Sequence, residues 1–378
     1  YLRLTVNQSK VLVSEGRRRF RRHNAANHWV ETEIVATMIA SSRNPDADIE
    51  TTRSALRDLP EFRAVINYIW PVLTAAELLH DLYSSKALLR LAAQKVCTTE
   101  EYESLHRQRA ESLAEAKFSD ADVAVLDEAL SLLGPKPRRN GRINDADEVR
   151  TYGHIVIDEV QDLSPMQLRM ISRRSLNGAM TIVGDIAQAP SAHAPASWKE
   201  VLAHLPKKNP SRVIGLTVGY RIPRQIMELA TRVLKAAAPL QTSPVSVREG
   251  DETPKIIATT VDELFSELIK DTQRMVAELS GGNVAIVCPD SMSEAISTAL
   301  DKAQIAHGRA GISGIEAGLT VVPVSVVKGL ELDGVIVVEP AKIVAAQTHG
   351  LRALYVALTR STKQLSVIHS EPLPKEMI

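Results

Sequence analysis

The sequence predicts an α/β chain: open parallel sheets with helices on both faces, set behind a mostly helical N-terminal region. After Gly153, short β-branched runs alternate with helical stretches. Several of those runs are apolar throughout, as strands of a parallel sheet buried on both faces must be. At 378 residues the chain also exceeds the roughly 250 to 300 residues at which a single core stops growing, so more than one domain is expected.

The elements follow in order. From Tyr1 to about Ser112 the pattern is helical, and "TAAELLHDLY" carries Thr74 and Glu77 at capping-box spacing. "SDADVAVLDEALSLLG" repeats this, with Ser119 as cap and Gly134 as stop. "GPKPRRNGRINDAD" is Pro-, Gly- and charge-rich, the chemistry of a linker. Strands are then expected at His154–Asp158, Met180–Gly184, Arg212–Thr217, Lys255–Thr259, Asn283–Cys288, Leu319–Val327, Gly334–Glu339 and Leu365–His369. Helices between them imply right-handed crossovers, with ligands at the strands' C-terminal ends. The chain divides into segments 1–112, 113–205 and 206–378.

Composition excludes more than it identifies. Lys+Arg and Asp+Glu are both 45, so any basic surface for nucleic acid is local. The basic run Arg17-Arg18-Arg19-Phe20-Arg21-Arg22 is such a place. It either meets phosphates or an acidic protein surface, or is a solvated helix face paired with nearby acids. Trp70, in "IWPVL", is either a packing anchor or a partner-binding hot spot. Cys97 and Cys288 lack metal-ligand spacing and suit a reducing, cytoplasmic compartment. No run reaches the length of a membrane span. The opening "YLRLTVNQ" has no initiator Met, as expected of a fragment or processed product.

The chemistry concentrates in "HIVIDEVQDLSP". A strand ending in Asp158-Glu159 delivers two carboxylates to the C-terminal edge of a sheet. There the first acid suits Mg²⁺ and the second suits orienting and deprotonating water. Ser164, Pro165 and Gln167 then open a capped helix. "MTIVGDIAQA" ends a second strand in Gly184-Asp185, with Gln188 three residues on, an amide able to sense a γ-phosphate. "GYRIPRQI", "VVKGLELDGVIVVEP" and "ALYVALTRSTKQL" follow, with Arg221 and Arg360 suited to neutralise charge on transferred phosphate.

These five blocks resemble motifs II to VI of superfamily-one helicases of the UvrD/Rep type. The resemblance implies RecA-like (P-loop NTPase) parallel sheets and an ATP (or GTP) and Mg²⁺ cofactor pair. It makes Asp158 the magnesium acid and Glu159 the water-activating acid. Gln188 couples the γ-phosphate to the neighbouring domain, and Arg221 and Arg360 are arginine fingers. Glu331 accepts from the ribose, Lys328-Gly329 forms the loop facing nucleic acid, and Tyr220 or Gln225 frames the base.

Three departures narrow the resemblance. No G-x-x-x-x-G-K-[ST] phosphate loop occurs in the sequence, so the loop is expected in the remainder of the parent chain, upstream of Tyr1, and this chain alone is expected to be inactive. After the "GDxxQ" block the segment reads "APSAHAPASW", with His193 where a base-stacking aromatic is expected and Trp198 displaced. Between Arg221 and Lys328 there is no room for an inserted unwinding subdomain.

With "RRRFRRHN" and "IWPVLTAAELLHDLY" upstream, the chain is most similar to the actinobacterial HelD-like RNA-polymerase-associated ATPases. That resemblance implies that 1–112 is a clamp-opening insertion. Segment 113–205 is then the C-terminal part of a first RecA-like domain, and 206–378 a second one. RNA polymerase is the implied partner, DNA a weaker one; a DNA repair helicase is the alternative.

Overall fold

The computed structural model describes residues 2–42, 46–136, 149–189, 195–206, 210–239, 241–310 and 318–378. Contacts divide it into two compact units, Tyr1–Gly153 with Arg169–Leu176, and His154–Leu168 with Asn177–Ile378. The linker expected after Gly134 lies largely outside the described residues, as does His193.

The first unit is helical. Thr74 and Glu77 form the expected reciprocal cap of helix Ala75–Tyr83, Glu77 N–H donating to Thr74 Oγ1 at 3.1 Å. Ser119 caps helix Asp120–Leu133 with Asp122, and Gly134 ends it at φ 73°. Burial pushes the Asp122 carboxyl up, but Arg107 and Ser119 outweigh this and hold it at about 2. One core gathers Leu12, Val30, Ile34, Phe62, Ile66 and Trp70. Trp70, 2 % exposed, is therefore a packing anchor.

The second unit holds three parallel sheets. β1 (Ile155–Ile157) pairs with β2 (Met180–Ile182), and β3 (Val218–Gly219) with β4 (Val245–Ser246). The main sheet has six strands. In chain order these are β5 (Lys255–Ala258), β6 (Val284–Cys288), β7 (Gly308–Arg309), β8 (Leu319–Pro323), β9 (Leu332–Val338) and β10 (Ser361–His369). Their spatial order is β5-β10-β9-β6-β8-β7.

Alternation explains how this sheet is covered twice. Ala285, Val287, Val335, Val337 and Val367 enter one core with the helices Arg224–Ala237 and Gly350–Leu358. Val284, Ile286, Ile336, Val338 and Ile368 enter another with Leu264–Glu278 and Ser293–Lys302. Successive residues point to opposite faces, so an all-apolar strand feeds both cores. The fold is thus α/β with parallel sheets, helices around them and a helical N-terminal region. Cys288 is fully buried, and burial pushes its thiol up to about 12.

Strand bounds differ from expectation by a residue or two at β1, β2, β5 and β6, and more at four places. Arg212–Thr217 is not a strand: Val213, Ile214 and Leu216 are exposed, and bonding to β4 begins only at Thr217 O, which accepts from Val245 N–H. β-branched composition does not make a strand where no neighbouring strand supplies hydrogen bonds. β8 stops at Pro323, which lacks the donor a ladder needs, and a 3₁₀ turn follows. β9 ends before Glu339, whose φ of 50° turns the chain out of the sheet. β10 begins early, at Ser361, through a register shift.

Gly350 opens the helix packed on the main sheet, and a Cβ there would lie 1.9 Å from Val344 O. Because backbone must move to admit it, Gly350→Ala is expected to cost about 1–3 kcal/mol, read as a lower urea midpoint. An unchanged midpoint would show that the packing at this helix start is loose.

Candidate nucleotide-hydrolysis site

The site is built where β1 and β2 end. Glu159 N–H donates to Asp158 Oδ1 at 2.8 Å, and Glu159 itself is left-handed at φ 50°, ψ 42°. A non-glycine residue holds that conformation only where its surroundings impose it. Here Val160 N–H donates to Val183 O at 3.1 Å, locking the turn onto the end of β2.

Gln161 completes the joint. It is 1 % exposed; its amide donates to Glu159 Oε2 and its carbonyl accepts from Asp185 N–H at 3.0 Å. Gly184 makes room for it, since a Cβ there would sit 2.4 Å from Gln161 Oε1. Asp185 in turn accepts from Ala187 N–H at 2.9 Å, starting the 3₁₀ turn that ends in Gln188. Burial pushes the Asp185 carboxyl above its usual range, with the charge of Glu159 adding to it.

Lys328 and Arg360 lie near these acids, and Arg221 is close enough to Arg360 for their like charges to interact. Lys328 Nζ donates to both Asp162 oxygens at 2.7 Å and lies 3.4 Å from Glu159 Oε2. Arg360, 8 % exposed, donates to Gln188 Oε1 at 2.9 Å and to Val356 O at 3.1 Å. Burial and then the like charge of Arg221 pull the Arg360 guanidinium below its usual value, although arginine stays protonated in proteins. Arg221 pairs with Glu331 at 2.7 Å, both more than half exposed. Their positions come from the ends of separate elements: Arg221 follows β3, Lys328 and Glu331 lie in the loop between β8 and β9, and Arg360 precedes β10.

The structure therefore brings together most of the residues singled out by sequence. Glu159 meets Lys328, Gln188 meets Arg360, and Arg221 meets Glu331, while Asp158 accepts from Glu159 N–H. Gly329 supplies the loop's turn at φ 79°. Tyr220 stands apart, 80 % exposed. Gln225 is occupied by the backbone of Gly250, donating at 3.1 Å and accepting at 2.9 Å. Trp198 begins the helix Trp198–Ala203. Sequence reasoning passed over Gln161, Asp162 and Asp185 as working residues, although all three stand inside the quoted motifs.

The residues fit a nucleotide-borne magnesium ion better than a resident metal. Among the described residues no group of three or more His, Cys, Asp or Glu could hold a metal ion. Mg²⁺ bound through one or two carboxylates, with phosphate and water completing its shell, needs no such group. Asp158 is exposed and accepts within its own turn only from Glu159 N–H. A cavity of about 620 Å³ lies within the first unit beside Tyr83 and Phe118, but its arginines are already committed, Arg107 to Asp122 and Arg109 to Asp81.

Comparison with known proteins agrees with this arrangement. Residues 63–194 match an AAA domain and residues 318–368 match a UvrD-like helicase C-terminal domain. The first match contains Asp158, Glu159 and Gln188; the second contains Lys328, Glu331 and Arg360. The chain is thus similar to an AAA domain in one segment and to a UvrD-like helicase C-terminal domain in another. The C-terminal domain of a possible DNA helicase from Lactobacillus plantarum WCFS1 aligns over 42 % of this chain and 92 % of its own, at 24 % identity and a TM-score of 0.34. No curated protein matches the chain. Among the described residues no helix is long and apolar enough to cross a membrane.

Asp185 yields a pH prediction. Its carboxyl is raised in the fold, so the ionised form destabilises above the unfolded value of 3.8. Asp185→Asn keeps the acceptor for Ala187 N–H and removes the buried charge. The variant is expected to gain urea stability over the parent at pH 7, with the gain shrinking as pH falls towards 3.8. A gain independent of pH would mean that the charge is not the cause.

Proposed function

We propose that this chain is the C-terminal portion of a helicase-like ATPase that binds and hydrolyses ATP (or GTP) with Mg²⁺ and applies the resulting domain motion to RNA polymerase, opening its clamp and releasing bound nucleic acid. The observation that carries the hydrolytic part is the meeting of Glu159 with Lys328, and of Gln188 with Arg360, across the ends of separate strands. Segments 113–205 and 206–378 act as the C-terminal part of one RecA-like domain and as a second, with 1–112 as the helical insertion.

The roles follow from chemistry. Asp158 would hold the magnesium ion, which when bound would offset charge on the phosphates. Glu159 orients water and takes its proton, and its distance from Lys328 sets how free it is to do so. Arg360 and Arg221 present guanidinium groups to developing negative charge, and Gln188 couples Arg360 to the acids' end of the site. Glu331, held by Arg221 in this conformation, accepts from the ribose once that pair opens. Lys328-Gly329 forms the mobile contact between the two halves, and Tyr220, being exposed, is available to frame the base. The phosphate loop comes from the remainder of the parent chain, because the sequence holds no G-x-x-x-x-G-K-[ST] run.

Two features favour polymerase over duplex DNA as the object of the motion. From Arg221 to Lys328 the described residues build the helices Arg224–Ala237, Leu264–Glu278 and Ser293–Lys302 and the strands of the sheets, with no additional subdomain. The resemblance in the upstream helical blocks points the same way. A DNA helicase or translocase is the alternative, favoured by the UvrD-like match at residues 318–368.

Glu159→Gln in the full-length protein is expected to lower hydrolysis by about 10²- to 10⁴-fold while nucleotide binding persists. Intact hydrolysis would remove Glu159 from the mechanism. The full-length protein is also expected to co-elute with core RNA polymerase at moderate salt and to leave duplex DNA wound. Absence of co-elution together with ATP-dependent unwinding would select the helicase instead.

A further inference from the structure

We infer that Arg17, Arg18, Arg21 and Arg22, in the helical first unit, form a binding surface for the phosphate backbone of a nucleic-acid strand. The chain as a whole is neutral, yet its first thirty residues hold seven basic residues against a single acid, Glu15. Glu15 lies 4.0 Å from Arg19, whose guanidinium also covers the Trp29 ring at 4.8 Å. The other four arginines are exposed and make no ion pair among the described residues. A solvated helix face would pair its arginines with acids three or four residues away; here those acids are missing.

The cluster is also held rigidly. Helix Val6–Arg19 is capped by Thr5 and Gln8 and ends in Arg17, Arg18 and Arg19. The chain just beyond Arg22 is tied down: His23 N–H donates to Leu132 O at 3.1 Å and Trp70 Nε1–H donates to His23 O at 3.0 Å. The rings of His23 and Trp70 stack at 4.5 Å, and Asn24 donates to Leu73 O and Gly134 O at 2.9 Å each. The stem of Arg22 lies across Gly134, where a Cβ would come 2.9 Å from its Cδ. Cations on a fixed turn lose less freedom when a ligand docks.

The kind of partner follows from what the patch lacks. Protein interfaces of useful affinity need apolar or aromatic anchors, and no large apolar side chain is exposed between Arg17 and His23. Phosphates need only guanidinium groups, which bind them in bidentate fashion. Successive positions such as 17 and 18 project around a helix end rather than along one face, which suits a flexible strand better than a flat acidic protein surface.

The test uses the full chain, without nucleotide or polymerase, so its failure leaves the hydrolytic proposal standing. Fluorescence anisotropy with a labelled single-stranded oligonucleotide is measured from about 50 to 200 mM salt, a range over which phosphate contacts weaken steeply. Replacing the four arginines by Gln is expected to flatten the log–log salt slope by about 3, at roughly 0.7 per phosphate contact, and to weaken binding at low salt more than tenfold. Replacing them by Lys keeps the slope. The milder pair R17Q and R18Q, exposed and without an ion pair among the described residues, is expected to remove about half of it. An unchanged slope in the Gln variants, or no salt-dependent binding by the parent, overturns the inference. So does equal competition by polyglutamate, which would make the partner an acidic protein.

Discussion

Gln161 is the interaction on which the candidate site depends. One buried amide serves two strand ends, donating to the Glu159 carboxylate and accepting from the Asp185 backbone. Removing either partner would strand a buried polar group, which costs about 1–3 kcal/mol, so the two ends are bound to each other's geometry. Gly184 is the small residue that permits this. The main sheet supplies the other half of the site from residues that lead into its strands, Lys328 and Glu331 before β9 and Arg360 before β10.

Electrostatics gives the arrangement two levels. Lys328, Asp162 and Glu159 form a partly exposed network whose members can exchange partners at low cost. Arg360 is different: a buried guanidinium must be satisfied wherever it sits, and Val356 O, Thr359 Oγ1 and Gln188 Oε1 do so here. A change at Gln188 is therefore felt by Arg360 across 172 residues of sequence. The site thus holds an exposed, exchangeable pair at the acids and a buried, committed one beside it.

How much of this was legible in the sequence varied with the range of the interaction. The capping boxes at Thr74, Ser119 and Ser164 read directly, since each is settled within four residues. The acids of "DEVQD" and the cations of "KGLE" and "ALTR" were visible as residue types, and the apolar runs announced a doubly covered parallel sheet. Register and partners were not visible. Arg212–Thr217 has strand composition but no partner strand, and nothing local distinguishes those cases. Gln161 stood in plain view, yet its importance depends on Gly184, 23 positions away, having no side chain. The arginine run was open between a paired face and a free one until the acids around it could be placed.

The central claim is that Gln188 and Arg360 act as one unit within a hydrolytic site. Steady-state ATP hydrolysis by the full-length protein, measured for Gln188→Ala, Arg360→Ala and the double variant, tests this most directly. Residues that act together show non-additive losses, so the double variant is predicted to lose little more activity than the worse single one. Losses that multiply would mean that the two side chains work independently, and would contradict the account.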